Sequence, residues 1–300
     1  MASSDGLGVP DAGAAPPITT IERRGIEHVP GTERWGRPRA LFWMWAGAVW
    51  NVEYVYYGAI AVVFLGLSFA QAVLIVLVGN LSYVLTGLAS VQGPTAGTTT
   101  FTISRASFGP RGNKLPSFFN WVTQVGFEIE GIAFIVFAAV VLTDRAGFRA
   151  GTPAKVIFVV VAVAIQAVLP TLGHAAMLTA LRWLAIPFVV LFAVMGILTA
   201  GKADLHAAAH GASWGMLLVF LALVLSAGGL GWTENGNDYS RYLPATTPGR
   251  AIVVAVALGA AIPRQTAVST ATQCSRVSRG TRLCSVTPDE YRSSVLIAKS

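Results

Sequence analysis

Gly231–Pro244 reads GWTENGNDYSRYLP. Charged, amide and aromatic side chains crowd this stretch directly after the apolar run Ser213–Leu230, where a membrane-spanning helix would leave the bilayer. Glu234, Asp238 and Arg241 then belong to the polar exit of a span, and Asp238 and Arg241 are close enough in sequence to pair. Outward from this stretch toward the N-terminus lies a succession of apolar runs of similar length. Toward the C-terminus the pattern soon changes.

The composition agrees with a membrane protein. Of 300 residues, 54% are hydrophobic and 12% charged, with a mean hydropathy of +0.63, whereas soluble domains average roughly 25% charged residues. Of the net charge of +7, residues 1–263 carry +3 and the short remainder +4, and no basic patch is interleaved with aromatics, so no nucleic-acid partner is expected. Cys274 and Cys284 match no zinc spacing. His174, His206 and His210 fall at span ends or in loops, without the spacing of a catalytic motif. Neither an enzyme, a metal nor a cofactor is expected.

Spans are expected at Ala40–Leu67, Phe69–Ser90, Pro116–Leu142, Pro153–Leu169, Ala175–Ala200 and Ser213–Gly231. A seventh begins at Ala251 and offers only Ala251–Ile262 before Pro263-Arg264, about 18 Å of helix. Residues 1–39 read as a cytoplasmic arm, mostly disordered, with Gly25–Pro38 (GIEHVPGTERWGRP) as an ordered lip; 40–262 form the membrane domain. Residues 263–300 read as a polar, disordered tail, either extracellular or the product of a shifted reading frame. Arg23, Arg24, Arg34, Arg37 and Arg39 precede or enter span one. Arg105, Arg111 and Lys114 lie between spans two and three, and Arg241 and Arg250 follow span six. Only Arg145, Arg149, Lys155 and Lys202 lie in the opposite loops, so the N-terminus is expected inside the cell membrane.

Charged residues within a span are costly and default to functional candidates. Glu53 in span one is a candidate for proton or cation coupling. Asn51, two residues earlier, reaches the same cavity only if the helix is interrupted there. In span three, Asn120, Gln124, Phe127 and Gly131 form one helical stripe, flanked by Glu128. The substrate wall is therefore expected from Gln124, Phe127, Glu128 and Gly131: a ring to stack on, with an amide and a carboxylate for polar edges. A helix–helix contact is the alternative. Glu130, about 200° around the helix from Glu128, is left outside the site.

Four pieces carry a family resemblance: GIEHVPGTERWGRP before span one, Trp50-Asn51 within it, SRASFGPRGNKLPSFFNWVTQVGFEIEG (104–131) entering span three, and GWTENGNDYSRYLP after span six. With these, the chain resembles the purine–cytosine permeases of the nucleobase:cation symporter-1 family over about Ile21–Ile262. The resemblance implies an all-α integral membrane protein with a LeuT-like inverted-repeat transporter fold. The first repeat (spans one to five) is complete, and the second is cut off in span seven. It implies a symporter for cytosine- or purine-type nucleobases, or for another heterocycle such as allantoin, a hydantoin, uracil or a pyrimidine vitamin precursor, coupled to H⁺ or Na⁺. Spans one and six are broken at the midplane; the latter break falls near Leu225–Gly229, which makes Ser226 and Gly228 substrate-site candidates. Phe127 takes the place of the stacking aromatic, with Gln124 and Asn51 toward the polar edge of the base. Spans one, two, six and seven form a moving bundle, span five with Pro187 a thin inner gate, and Asp238 and Arg241 a clamp at the inner end. Span eight and the later scaffold spans are absent, so this length by itself is not expected to transport.

Overall fold

Span one is two helices. Pro38 opens α1 (Pro38–Val49) at a first-turn position where its missing N–H is no loss. The helix stops at Trp50, and α2 (Glu53–Ala59) resumes after Asn51 and Val52, continuing as a π-turn over Ile60–Phe64. The computed structural model describes residues 21–22, 24–203 and 212–275. Arg23, His206, His210 and the expected polar ends over 1–20 and 276–300 lie outside the described residues.

Ser68 and Gln71 form a reciprocal capping box at the start of α3 (Phe69–Asn80), with Ser68 Oγ accepting from the Gln71 N–H at 3.1 Å. With α4 (Tyr83–Ala89) and α5 (Gln92–Ala96) it makes a second span, Phe69–Ala96, hinged at Leu81–Ser82. The following glycine- and proline-rich connection folds into two short helices, α6 (Thr100–Ile103) and α7 (Arg105–Gly112), the latter interrupted at Gly109 with φ 68°. Three long helices come next: α8 (Lys114–Arg145), α9 (Thr152–Leu172) and α10 (His174–Thr199). Helix α11 (Trp214–Ser226), capped by Ser213, ends in turns over 227–232. A 3-10 turn (Thr233–Asn235) and α12 (Gly236–Ser240) follow.

The seventh helix corrects the sequence reading. α13 runs from Gly249 to Cys274, 26 residues through Pro263 and Arg264, about 39 Å at 1.5 Å per residue. It is long and apolar enough to cross a membrane, so the span does not end at Ile262. Among the described residues the architecture is all-helical.

α13 is the hub, packed against α1, α2, α3 and α4, while α11 lies on α3 and α10 on α1. Spans one, two, six and seven therefore form one bundle. Its centre holds Trp45, 1% exposed, with Trp232 and Tyr239 edge-on at 5.6 and 5.5 Å. Gly229 lets the turn after α11 meet the α4 backbone: a Cβ there would fall 2.2 Å from the Tyr83 nitrogen. By contrast α8 has no buried residue, and Phe118, Phe119, Trp121, Ile129, Val160 and Ile165 of α8 and α9 are exposed. Apolar faces of that extent belong in hydrocarbon.

One end of the bundle is strapped by the arm. Glu22 Oε1 accepts from Arg241 Nη2 at 2.8 Å and from the Tyr242 hydroxyl, while Oε2 accepts the His174 N–H at 2.7 Å. Arg34 donates to the carbonyls of Val29 and Pro94, and the Val29 N–H to Gly97 O at 2.7 Å. Glu22 ties the start of α10 to the stretch after α12, and Val29 and Arg34 of the Gly25–Pro38 stretch hold the end of α5.

Candidate functional site

A cavity of about 360 Å³ opens where α2, α8 and the end of α11 come together. α2 supplies Tyr57, α8 supplies Thr123, Phe127 and Glu130, and the α11 end with its following turns supplies Ser226, Ala227 and Glu234. Gln124 reaches the rim: its Nε2 donates to Glu234 Oε1 and to Asn120 Oδ1, each at 3.3 Å. Burial pushes the Glu234 carboxyl above its ordinary range, and the Gln124 bond partly offsets this.

Phe127 and Ser226 line the cavity, and Gln124 joins it through Glu234. Glu53 sits one bond behind the wall, accepting from the hydroxyl of Tyr57. Asn51 is used otherwise. Its Oδ1 accepts the Glu53 N–H at 3.0 Å and its Nδ2 donates to Ala48 O at 3.1 Å. The whole amide thus satisfies backbone groups orphaned by the helix break, and Asn51 is absent from the cavity lining.

The phase of α8 also differs from the expected stripe. Thr123, Phe127 and Glu130 share the cavity face, and Phe134, next on the same stripe, stacks on Tyr56 of α2 at 4.3 Å and 11°. This stripe lies about 60° around the helix from Asn120–Gln124–Phe127–Gly131 at 100° per residue. The rotation carries Glu128 to an exposed face and turns Gly131 toward Gln166 of α9. Glu130 and Glu234, left out by the sequence reading, are the carboxylates on the wall. Listing every i, i+4, i+7 set through Phe127 would have found Thr123–Phe127–Glu130.

Gly228 lies behind the wall. A Cβ there would meet Arg264 Nη1 at 1.9 Å and Val224 O at 2.5 Å, so its role in this structure is close packing. Arg264 itself is fully buried, its guanidinium carbon 5.0 Å from the Tyr54 ring centre and 5.9 Å from that of Tyr83.

At the strapped end, Arg241 pairs with Glu22 and not with Asp238, because Asp238 turns its Oδ1 to the Thr100 N–H at 2.7 Å. Burial raises the Asp238 pKa, with Thr100 acting in the opposite sense. Pro187 lies on an exposed face of α10, which continues through it.

Residues 28–288 match the family described as permease for cytosine/purines, uracil, thiamine, allantoin. The matched region continues past Pro263, so the family pattern does not stop where the sequence reading placed its end. Over 108 residues the chain is 35% identical to YxlA of Bacillus subtilis (strain 168), which carries the name of a purine-cytosine permease. That match covers 36% of this chain and 23% of the relative's length. No solved structure matches the chain.

Proposed function

The chain belongs to the family of permeases for cytosine/purines, uracil, thiamine and allantoin, and from that premise we propose that its cavity binds a cytosine- or purine-type nucleobase for symport with H⁺ or Na⁺. One observation carries the reading: an aromatic ring, Phe127, and hydrogen-bonding groups share a cavity of about 360 Å³ between an interrupted first span and the turns ending α11. Ligand pockets commonly enclose about 300–1,000 Å³ with apolar walls and a few polar groups. Irregular backbone at membrane depth is tolerated where it lines such a cavity.

Phe127 stacks on the base, and Glu130, Glu234 and Gln124 meet its polar edge. Glu53 is the coupling group, linked to the cavity through the Tyr57 hydroxyl. The protein is a multi-pass protein of the cell membrane with the arm inside, in keeping with the arginines around span one and in the connection before α8.

The test is binding of labelled cytosine and adenine to the full chain in nanodiscs, followed by uptake in permease-deficient cells. Stacking on an aromatic is worth about 1–3 kcal/mol by alanine substitution, so Phe127→Ala is expected to weaken binding about 5- to 150-fold while Phe127→Trp retains it. Binding unchanged by Phe127→Ala refutes the stacking role. No binding of any base by the folded wild type refutes the nucleobase reading.

A further inference from the structure

The corner that joins span two to α8 carries positive charge without a counter-charge. From Tyr54 to Phe127 the sequence holds no Asp or Glu, yet Arg105 and Arg111 stand on α7 and Lys114 opens α8. All three are exposed, and none makes an ion pair or a side-chain hydrogen bond among the described residues. Asp238, which reaches the neighbouring α6, is engaged by the Thr100 N–H. The corner is pinned from inside. Asn113 is buried, its Nδ2 donating to Phe101 O at 2.6 Å and its Oδ1 accepting from Ser104 Oγ. Beside the cations lies an apolar ramp: Phe108, Leu115, Phe118 and Phe119 are 55–64% exposed, and the Phe118 ring meets those of Phe119 and Trp121 at 5.9 and 6.2 Å. Phe118 and Phe119 lie about 6–8 Å along the helix axis from Lys114, the depth at which aromatic rings sit between headgroups and acyl chains.

We infer that the outer face of this corner binds an acidic phospholipid: Arg105, Arg111 and Lys114 hold its phosphate, and its acyl chains lie along Leu115, Phe118 and Phe119. The guanidinium and ammonium groups donate charge-assisted bonds to phosphate oxygens. An acidic headgroup such as phosphatidylglycerol supplies the missing negative charge, whereas a zwitterionic one sets its own ammonium group against three cations. The apolar ramp separates a lipid from a soluble anion, because only a lipid covers both halves of the surface. α8 has no buried residue, while α6 is tied to α12 through Thr100 and Asp238. A lipid seated here braces the entry to α8 at the strapped end of the bundle. The site is separate from the cavity and does not depend on which ligand the cavity takes.

The experiment is native mass spectrometry of the full chain in detergent, titrated with phosphatidylglycerol and, in parallel, with phosphatidylcholine of the same acyl chains. One cation beside an acidic lipid surface is worth about fivefold in binding, so phosphatidylglycerol is expected to bind at least about tenfold more tightly than phosphatidylcholine. The double variant Arg111→Gln, Lys114→Gln is expected to cut that preference at least about fivefold. Arg145→Gln with Arg149→Gln removes the same charge beyond the far end of α8 and is expected to leave it unchanged. Inorganic phosphate at the concentration of the lipid is expected not to displace it. The wild-type comparison needs no variant, so the inference stays testable if a substitution prevents folding. Equal binding of the two lipids, an equal loss in the far-end variant, or displacement by inorganic phosphate overturns the inference and leaves the nucleobase reading standing.

Discussion

The strap at the end of the bundle offers a perturbation that can be sized before it is made. Glu22 holds Arg241, the Tyr242 hydroxyl and the His174 N–H with one carboxylate. The side chains of Arg241 and Glu22 are 9% and 21% exposed, between the limits for which magnitudes are known. Removing one partner of a fully buried pair costs about 3–5 kcal/mol, and an exposed pair contributes about 0–1 kcal/mol. Glu22→Gln removes the charge and one of the two acceptor oxygens: with the amide oxygen kept on Arg241 and Tyr242, its NH₂ faces the His174 N–H, and the guanidinium is left uncompensated. Its cost should be about 2 kcal/mol, between those limits. At about 2–4 °C per kcal/mol for a domain of this size, the apparent Tm should fall by about 4–8 °C. Tryptophan-fluorescence melting in nanodiscs reads this directly. The decisive comparison is with Arg241→Met and the double variant. Combined, the substitutions should cost at least about 1 kcal/mol less than the sum of their separate effects, because the second removes the charge stranded by the first. Additivity within about 0.3 kcal/mol would refute the pairing.

Two further outcomes follow from the surroundings of Arg264 and Asp238. Arg264 is fully buried, and none of its three guanidinium nitrogens has a hydrogen-bond partner among the described residues; contact with the two tyrosine rings offsets only part of the desolvation, so Arg264→Met should leave the stability unchanged or raise it by up to about 1–4 kcal/mol, and a loss above about 1 kcal/mol, read from the melting curve, would contradict this balance. Asp238 has a folded pKa raised above its ordinary 3.8, so the folded state binds its proton more tightly, and stability should rise as pH falls through the raised value and level off below 3.8; Asp238→Asn should flatten that rise in a Tm–pH series, and parallel curves would refute it.

Much of the membrane architecture was legible because its signal is local. Low charge and apolar runs of the right length placed six helical segments to within a few residues at most ends, four of them long and apolar enough to cross a membrane, and the break between Val49 and Glu53 falls where Asn51 and Glu53 could face one cavity only if the helix were interrupted. The seventh span was misread for a definable reason. Pro263 and the Ser, Thr and Gln residues after it look like the end of a membrane run, yet in α13 they are absorbed by the helix and its neighbours. Thr266 and Thr272 donate back to Pro263 O at 2.8 Å and Val268 O at 2.7 Å, hiding their hydroxyls in the preceding turn. Gln265 bonds Asn80 at 3.2 Å, and Gln273 reaches Gly196 O of α10 at 3.1 Å. Hydropathy counts those side chains as exposed polarity, whereas neighbouring helices supply their partners.

The site shows the opposite limit. Helical periodicity says which residues share a face and leaves open which face meets the cavity. Asn120, Gln124, Phe127 and Gly131 fall on one helical stripe, but the rotation of α8 is set by contacts distant in sequence. Phe134 stacks on Tyr56 of α2, and Gln124 is drawn to Glu234 on the turn after α11. Those contacts bring Thr123 and Glu130 onto the cavity and carry Glu128 away. Of two glutamates two residues apart, the one that looked less useful becomes part of the wall. The Asn51 amide followed the same logic in reverse: a polar group beside a helix break is first needed by the backbone of that break, and both the oxygen and the nitrogen of this amide are engaged there.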